Sequence, residues 1–204
     1  YQQDEEIIQQ VRSAAELQAA DLRFFQPPRI PDYRERNFAL ARHAYDALAE
    51  RDSFGELTDE QLIRAQKTEI PGRLAVQQRG SATIIIDGAH NEQKVNALIT
   101  TLRYQYPGQK FAVVLAMKEG KEYQNVITQL ATISSSAITS EFTLSQDTPI
   151  KAIEADVLAN EYAKHQIETT SAPTLSVALD MHVAVGEKLI LVTGSLYAAS
   201  ELLQ

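Results

Sequence analysis

Apolar positions follow two regimes along the chain. Up to about residue 68 they recur at helical spacing. After Pro71, short apolar runs alternate with amphipathic stretches. In the first regime a helix is expected over 4–20, with Ile7, Ile8, Val11, Ala14, Ala15 and Leu17 on one face. "FFQPPRIPDY" breaks it, because closely spaced prolines remove backbone donors and do not sit in a helix. A second helix is expected over 34–50 (Phe38, Ala41, Tyr45, Leu48) and a third over 58–67, opened by a Thr58-x-x-Gln61 capping box.

In the second regime strands are expected at 74–78, 82–86, 110–116, 136–143 and 188–192. Helices are expected at 91–104, 121–132, 151–163, 174–183 and 195–203. Val95, Leu98, Ile99 and Leu102 follow i, i+3, i+4, i+7. Alternation of this kind predicts a mainly parallel sheet with helices on both faces. The natural cut lies near residues 69–72. It separates a one-sided helical part, 1–69, from an α/β domain, 70–204.

Composition narrows the function classes. The chain has 204 residues and a net charge of −8. An acidic protein without a basic stripe is a poor candidate for nucleic acid or an anionic membrane. There is no cysteine, so disulfides and thiolate metal sites are excluded; a cytoplasmic setting suits that composition. No apolar run approaches the roughly 18 residues that a membrane span needs. The first residue is Tyr1, and the chain is read as a piece of a longer protein.

Candidate chemistry lies at two strand-to-helix junctions. In "IIIDGAHNEQKVNAL" a buried strand ends at Asp87, Gly88 permits a sharp turn, and Asn91 caps the next helix. "LILVTGSLYAASELL" repeats the arrangement with Gly194 and Ser195. If both strands are parallel, Asp87, His90 and Ser195 share one rim, where α/β sheets bind ligands and helix N-termini favour anions. The plain alternative is that Asp87 and Asn91 are turn and cap residues, with His90 a solvated loop residue. Arg73, at the boundary, is either a phosphate ligand or a surface charge. Asn37, mildly disfavoured inside a helix, hints at a task. The four histidines are scattered with no ligand spacing, and neither a P-loop nor a dinucleotide fingerprint is present.

"IPGRLAV", "IIIDGAHNEQKVNAL" and "LVTGSLYAASELL", in this order, resemble the carboxyl-terminal part of folylpolyglutamate synthase/dihydrofolate synthase, of the Mur ligase superfamily. "PDYRERNFALA" resembles the helix that closes that family's central ATPase domain. The resemblance covers nearly all the chain from about residue 22. It implies a Rossmann-like Mur ligase C-terminal domain of mainly parallel α/β architecture, preceded by a helical remnant of the central domain. It also implies an ATP-dependent ligase joining L-glutamate to dihydropteroate or folate through an acyl phosphate.

On that resemblance Asn37, Arg73 and Asp87 would contact ATP. His90 and Ser195 would face the glutamate and acyl phosphate, with Tyr197 beside them. The family's P-loop and Mg2+ ligands, and most of its folate pocket, have no counterpart in this chain, so the fragment is expected to be inactive alone. Glu92 stands where the family has proline, and Lys121-Glu122 keeps only part of an Asp-Lys-Asp. A Mur-type cell-wall ligase domain and a non-catalytic nucleotide-binding module are the alternatives. The apolar faces of the first helices, with Phe24, Phe25, Phe38, Tyr45 and Leu48, are expected to pack on the α/β domain or to self-associate.

Overall fold

The computed structural model describes residues 5–26, 29–142 and 150–203, which form two compact units. The first comprises Tyr1–Ile30 and Glu35–Glu56; the second comprises Pro31–Arg34 and Leu57–Gln204. The sequence-derived cut near 69–72 therefore falls inside the second unit.

The first unit holds α1 (Glu5–Leu17) and, from Glu35 onward, α2 (Tyr33–Asp52). No residue of α1 is buried. Aromatic and charged side chains join the elements. The Arg12 guanidinium lies 4.8 Å from the Phe24 ring centre, Phe25 stacks on His43 at 5.0 Å, and Arg23 bonds Glu50 at 2.7 Å.

From Leu57 onward the second unit begins with α3 (Asp59–Gln66). The capping box is formed as expected: Thr58 Oγ1 accepts from the Gln61 amide, and Gln61 Oε1 accepts from the Thr58 amide. Six strands follow: β1 (Ala75–Arg79), β2 (Ala82–Ile86), β3 (Phe111–Leu115), β4 (Ser134–Thr139), β5 (Glu168–Ser171) and β6 (Leu189–Thr193). The sheet order is β1-β2-β6-β3-β4-β5. Among the described residues, all pairings between these strands are parallel except β1 with β2, a hairpin through Gly80-Ser81 with Gly80 at φ +60.

Alternate strand residues feed two cores, as a sheet covered on both faces requires. Ile85, Val113, Leu115 and Leu191 pack with α4 (Glu92–Gln105), α5 (Tyr123–Ala131) and α6 (Ala155–Ala163). Ile84, Ile86, Val114, Ile190 and Val192 pack with α7 (Leu175–Ala184) and α8 (Leu196–Leu202). The mainly parallel α/β architecture is thus as expected.

Three details differ from the sequence-derived elements. The strand expected at 136–143 occupies Ser134–Thr139; Phe142 is buried beyond it, and residue 143 lies outside the described residues. The helix expected at 151–163 starts only at Ala155. Strand β5, "ETTS", was not expected: it is a polar, half-exposed edge strand and carries no apolar run.

Candidate functional site

β6 lies between β2 and β3, so the loops after these three strands emerge side by side at the carboxyl edge. This is a switch point of the topology, where open α/β sheets form a crevice. Backbone contacts lock the loops together. The Gly194 amide donates to the Ala89 carbonyl at 3.0 Å, the Ala116 amide to Thr193 at 3.2 Å, and the Gly88 amide to Gly72 at 2.8 Å.

Asp87 is the hub of this arrangement. It is 2% exposed. Its Oδ2 accepts from the Tyr33 hydroxyl at 2.5 Å and from the Leu74 amide at 3.0 Å, and its Oδ1 accepts from the Ala89 amide at 2.9 Å. Of the roughly four lone-pair positions of a carboxylate, these donors fill three. Burial pushes its pKa up, against the pull of the three hydrogen bonds and the Arg73 charge. Leu74 adopts φ +51, a conformation that non-glycine residues seldom take, and it places that residue's amide on Asp87.

Tyr33 was not singled out from the sequence. Burial and the Asp87 charge keep its hydroxyl protonated, with its pKa well above the usual tyrosine range. Neighbouring residues fasten the segment. The Tyr33 amide donates to Thr101 Oγ1, and Gln105 Nε2 donates to Asp32 Oδ2 at 2.7 Å. Asp32 also pairs with Arg34 at 2.9 Å.

His90 sits half-buried beside Asp87. Its Nδ1 is 2.8 Å from the Gly88 carbonyl, and its Nε2 is 2.9 Å from Lys94 Nζ. Burial lowers its pKa, and the charges of Lys94, Lys121 and Arg73 lower it further; the bond to Gly88 opposes them. Lys94 is lowered too, by burial and then by Arg73 and Lys121. Three cations, Arg73, Lys94 and Lys121, therefore act as a group on one histidine, with Lys94 in direct contact. Among the described residues, none of the three takes part in an ion pair. Such a cluster suits a phosphate or carboxylate.

Asn91 caps α4 as expected, accepting from the Lys94 amide. Ser195 is buried and caps α8, with its Oγ accepting from the Tyr197 amide at 3.1 Å. The Tyr197 ring packs 5.8 Å from Phe142. The second unit thus brings Arg73, Asp87, His90 and Ser195 to one edge. Asn37 belongs to the first unit, where it lines a cavity of about 1000 Å³ with Phe24, Phe25, Leu40 and His43. Lys94 had one readable signal: a cation in the first turn of a helix opposes the helix dipole.

Among the described residues, no three of His, Asp and Glu lie together so as to hold a metal ion, and no helix is long and apolar enough to cross a membrane.

Residues 68–204 match the family described as dihydrofolate synthetase, C-terminal domain. The chain is 26% identical over 174 residues to the dihydrofolate synthase/folylpolyglutamate synthase of Bacillus subtilis, covering 85% of this chain and 39% of the relative. E. coli FolC in complex with DHPP and ADP superposes with a TM-score of 0.64 at 19% identity, covering 89% of this chain and 40% of that one. The bifunctional folylpolyglutamate synthase/dihydrofolate synthase of Yersinia pestis, complexed with AMPPNP and a Mn ion, gives a TM-score of 0.59 at 19% identity, covering 73% and 34%. The chain spans well under half the length of each.

Proposed function

Because the chain belongs to the family of dihydrofolate synthetase C-terminal domains, we propose that the protein it is part of is an ATP-dependent ligase. It adds L-glutamate to dihydropteroate or folate, in a cytoplasmic biosynthetic role. The observation that carries this reading is the cationic cluster of Arg73, Lys94 and Lys121 at the switch-point edge of a sheet of this family. Relatives of the same fold hold ADP or AMPPNP, and one holds DHPP.

In this reading a substrate carboxylate oxygen attacks the γ-phosphorus of ATP and the bond to ADP breaks. The glutamate amine then attacks the acyl carbon, phosphate leaves, and the amine gives up a proton. Arg73 offsets negative charge as it develops on the transferred phosphoryl group, a role that preorganised cations fill well. Asp87 acts mainly through the rim it organises and, on the family resemblance, as a nucleotide contact. Asn37, in the first unit, is a nucleotide contact on the family resemblance. His90 and Ser195 face the incoming amino acid. A divalent ion such as Mg2+ accompanies the nucleotide in the whole enzyme. The described residues offer it no ligand set.

The test uses ATP, dihydropteroate and L-glutamate. The 204-residue chain should not turn over, the full-length parent should, and Arg73→Ala in the parent should lower kcat/KM by about 10²-fold or more. Turnover by the chain alone at rates typical of intact enzymes, or an Arg73→Ala parent of undiminished activity, overturns the reading. Tight ATP binding by the isolated chain with an inactive parent would instead point to a non-catalytic nucleotide module. Activity of the parent only on cell-wall precursors would point to a Mur-type ligase.

A further inference from the structure

Lysine carries only donors, so a Lys94 ammonium 2.9 Å from His90 Nε2 requires that nitrogen to be an acceptor. The ring is then neutral, and its proton sits on Nδ1, which is 2.8 Å from the Gly88 carbonyl and donates to it. Both ring nitrogens are thus assigned by their partners, and the tautomer follows from geometry. We infer that Lys94 is a positioning residue for His90: it fixes the Nδ1–H tautomer and occupies the Nε2 lone pair, the lone pair a proton acceptor would have to use.

Several features support an arrangement beyond incidental contact. Lys94 lies in the first turn of α4, where the helix dipole disfavours a cation, so its position costs the helix something that the contact with His90 must offset. Carbonyl and ring are held by the locked loops, because the Gly88 amide donates to the Gly72 carbonyl and the Ala89 carbonyl accepts from the Gly194 amide. The charged groups around His90 are Lys94 on α4, Lys121 in the loop after β3 and Arg73 before β1. Asp87, three residues earlier, gives its carboxylate to Tyr33, Leu74 and Ala89. His90 therefore faces cations, and all three disfavour its protonation.

The inference deepens the ligase reading at the same site. There the amine that attacks an acyl phosphate must lose a proton, and His90 can accept it at Nε2 only when Lys94 has moved off. An anion bound at Arg73 and Lys121 gives Lys94 a competing partner.

The test is nitrogen NMR of the histidine rings in the 204-residue chain, with His90 assigned by comparison with His90→Gln. In the unaltered chain above pH 7.5, His90 should show the Nδ1–H tautomer and titrate below the ordinary value of about 6.5. In Lys94→Met, which keeps the aliphatic stem, the His90 pKa should rise and the Nε2–H tautomer should gain population. Lys94→Arg should restore the behaviour of the unaltered chain in part. An Nε2–H tautomer in the unaltered chain overturns the inference whether or not any variant folds. So does an unchanged tautomer and pKa in folded Lys94→Met. No substrate enters these measurements, so an inactive parent would defeat the ligase reading and leave this result standing.

Discussion

Asp87 shows how much one buried carboxylate can organise. A charge this deep is costly unless donors surround it, and here a phenol and two amides do so. Tyr33 is the one side-chain donor among them, so the pair can be tested by removing a single oxygen. Tyr33→Phe keeps the ring volume but leaves Asp87 with two amides. It should lower stability by about 1–3 kcal/mol, read as a shift in the urea midpoint. Asp87→Asn in the same chain should add less than its effect alone, because the two changes remove one shared interaction. Additive effects would mean that the hydroxyl contributes little.

Between elements, glycines set how closely the rim loops approach. Gly194 has φ +103, and a Cβ there would sit 2.6 Å from the Ala116 carbonyl oxygen, a backbone atom with little freedom. A Cβ on Gly88 would collide with Leu196, at 2.6 Å from its Cγ, so that clash is mostly with a side chain. Both Gly194→Ala and Gly88→Ala should lower the melting temperature. Leu196→Ala should recover part of the loss for Gly88→Ala and none for Gly194→Ala. Equal recovery in both would contradict this account of the contacts. The same elements show what was legible in the sequence. The triple isoleucine of β2 and the apolar runs of β3 and β6 announced buried parallel strands, and their parallel alignment placed Asp87, His90 and Ser195 on one edge. β5 stayed hidden because an edge strand of Glu, Thr, Thr and Ser buries too little to leave an apolar pattern. Tyr33 stayed hidden because its partner lies 54 residues away, and no local pattern encodes such a contact.

At the scale of the whole molecule, the two units differ in how they bury apolar surface. The second carries two cores, whereas in the first no described residue is fully buried. Phe24 is 52% exposed, Leu40 51% and Leu48 44%, and all three line one cavity with His43, whose Nε2 is buried without a hydrogen-bond partner. Apolar surface gathered in this way favours association, at roughly 25 cal/mol for each Å² removed from water. The isolated chain should therefore self-associate through the first unit. Sedimentation equilibrium should give a mass that rises with protein concentration. Phe24→Glu combined with Leu48→Glu should return it to that of a single chain, because each chain in an oligomer would then bury two added charges. The unfolding transition of the second unit should be unchanged, since neither residue belongs to it. A single-chain mass across the micromolar range for the unaltered protein would show that the first unit needs no such partner.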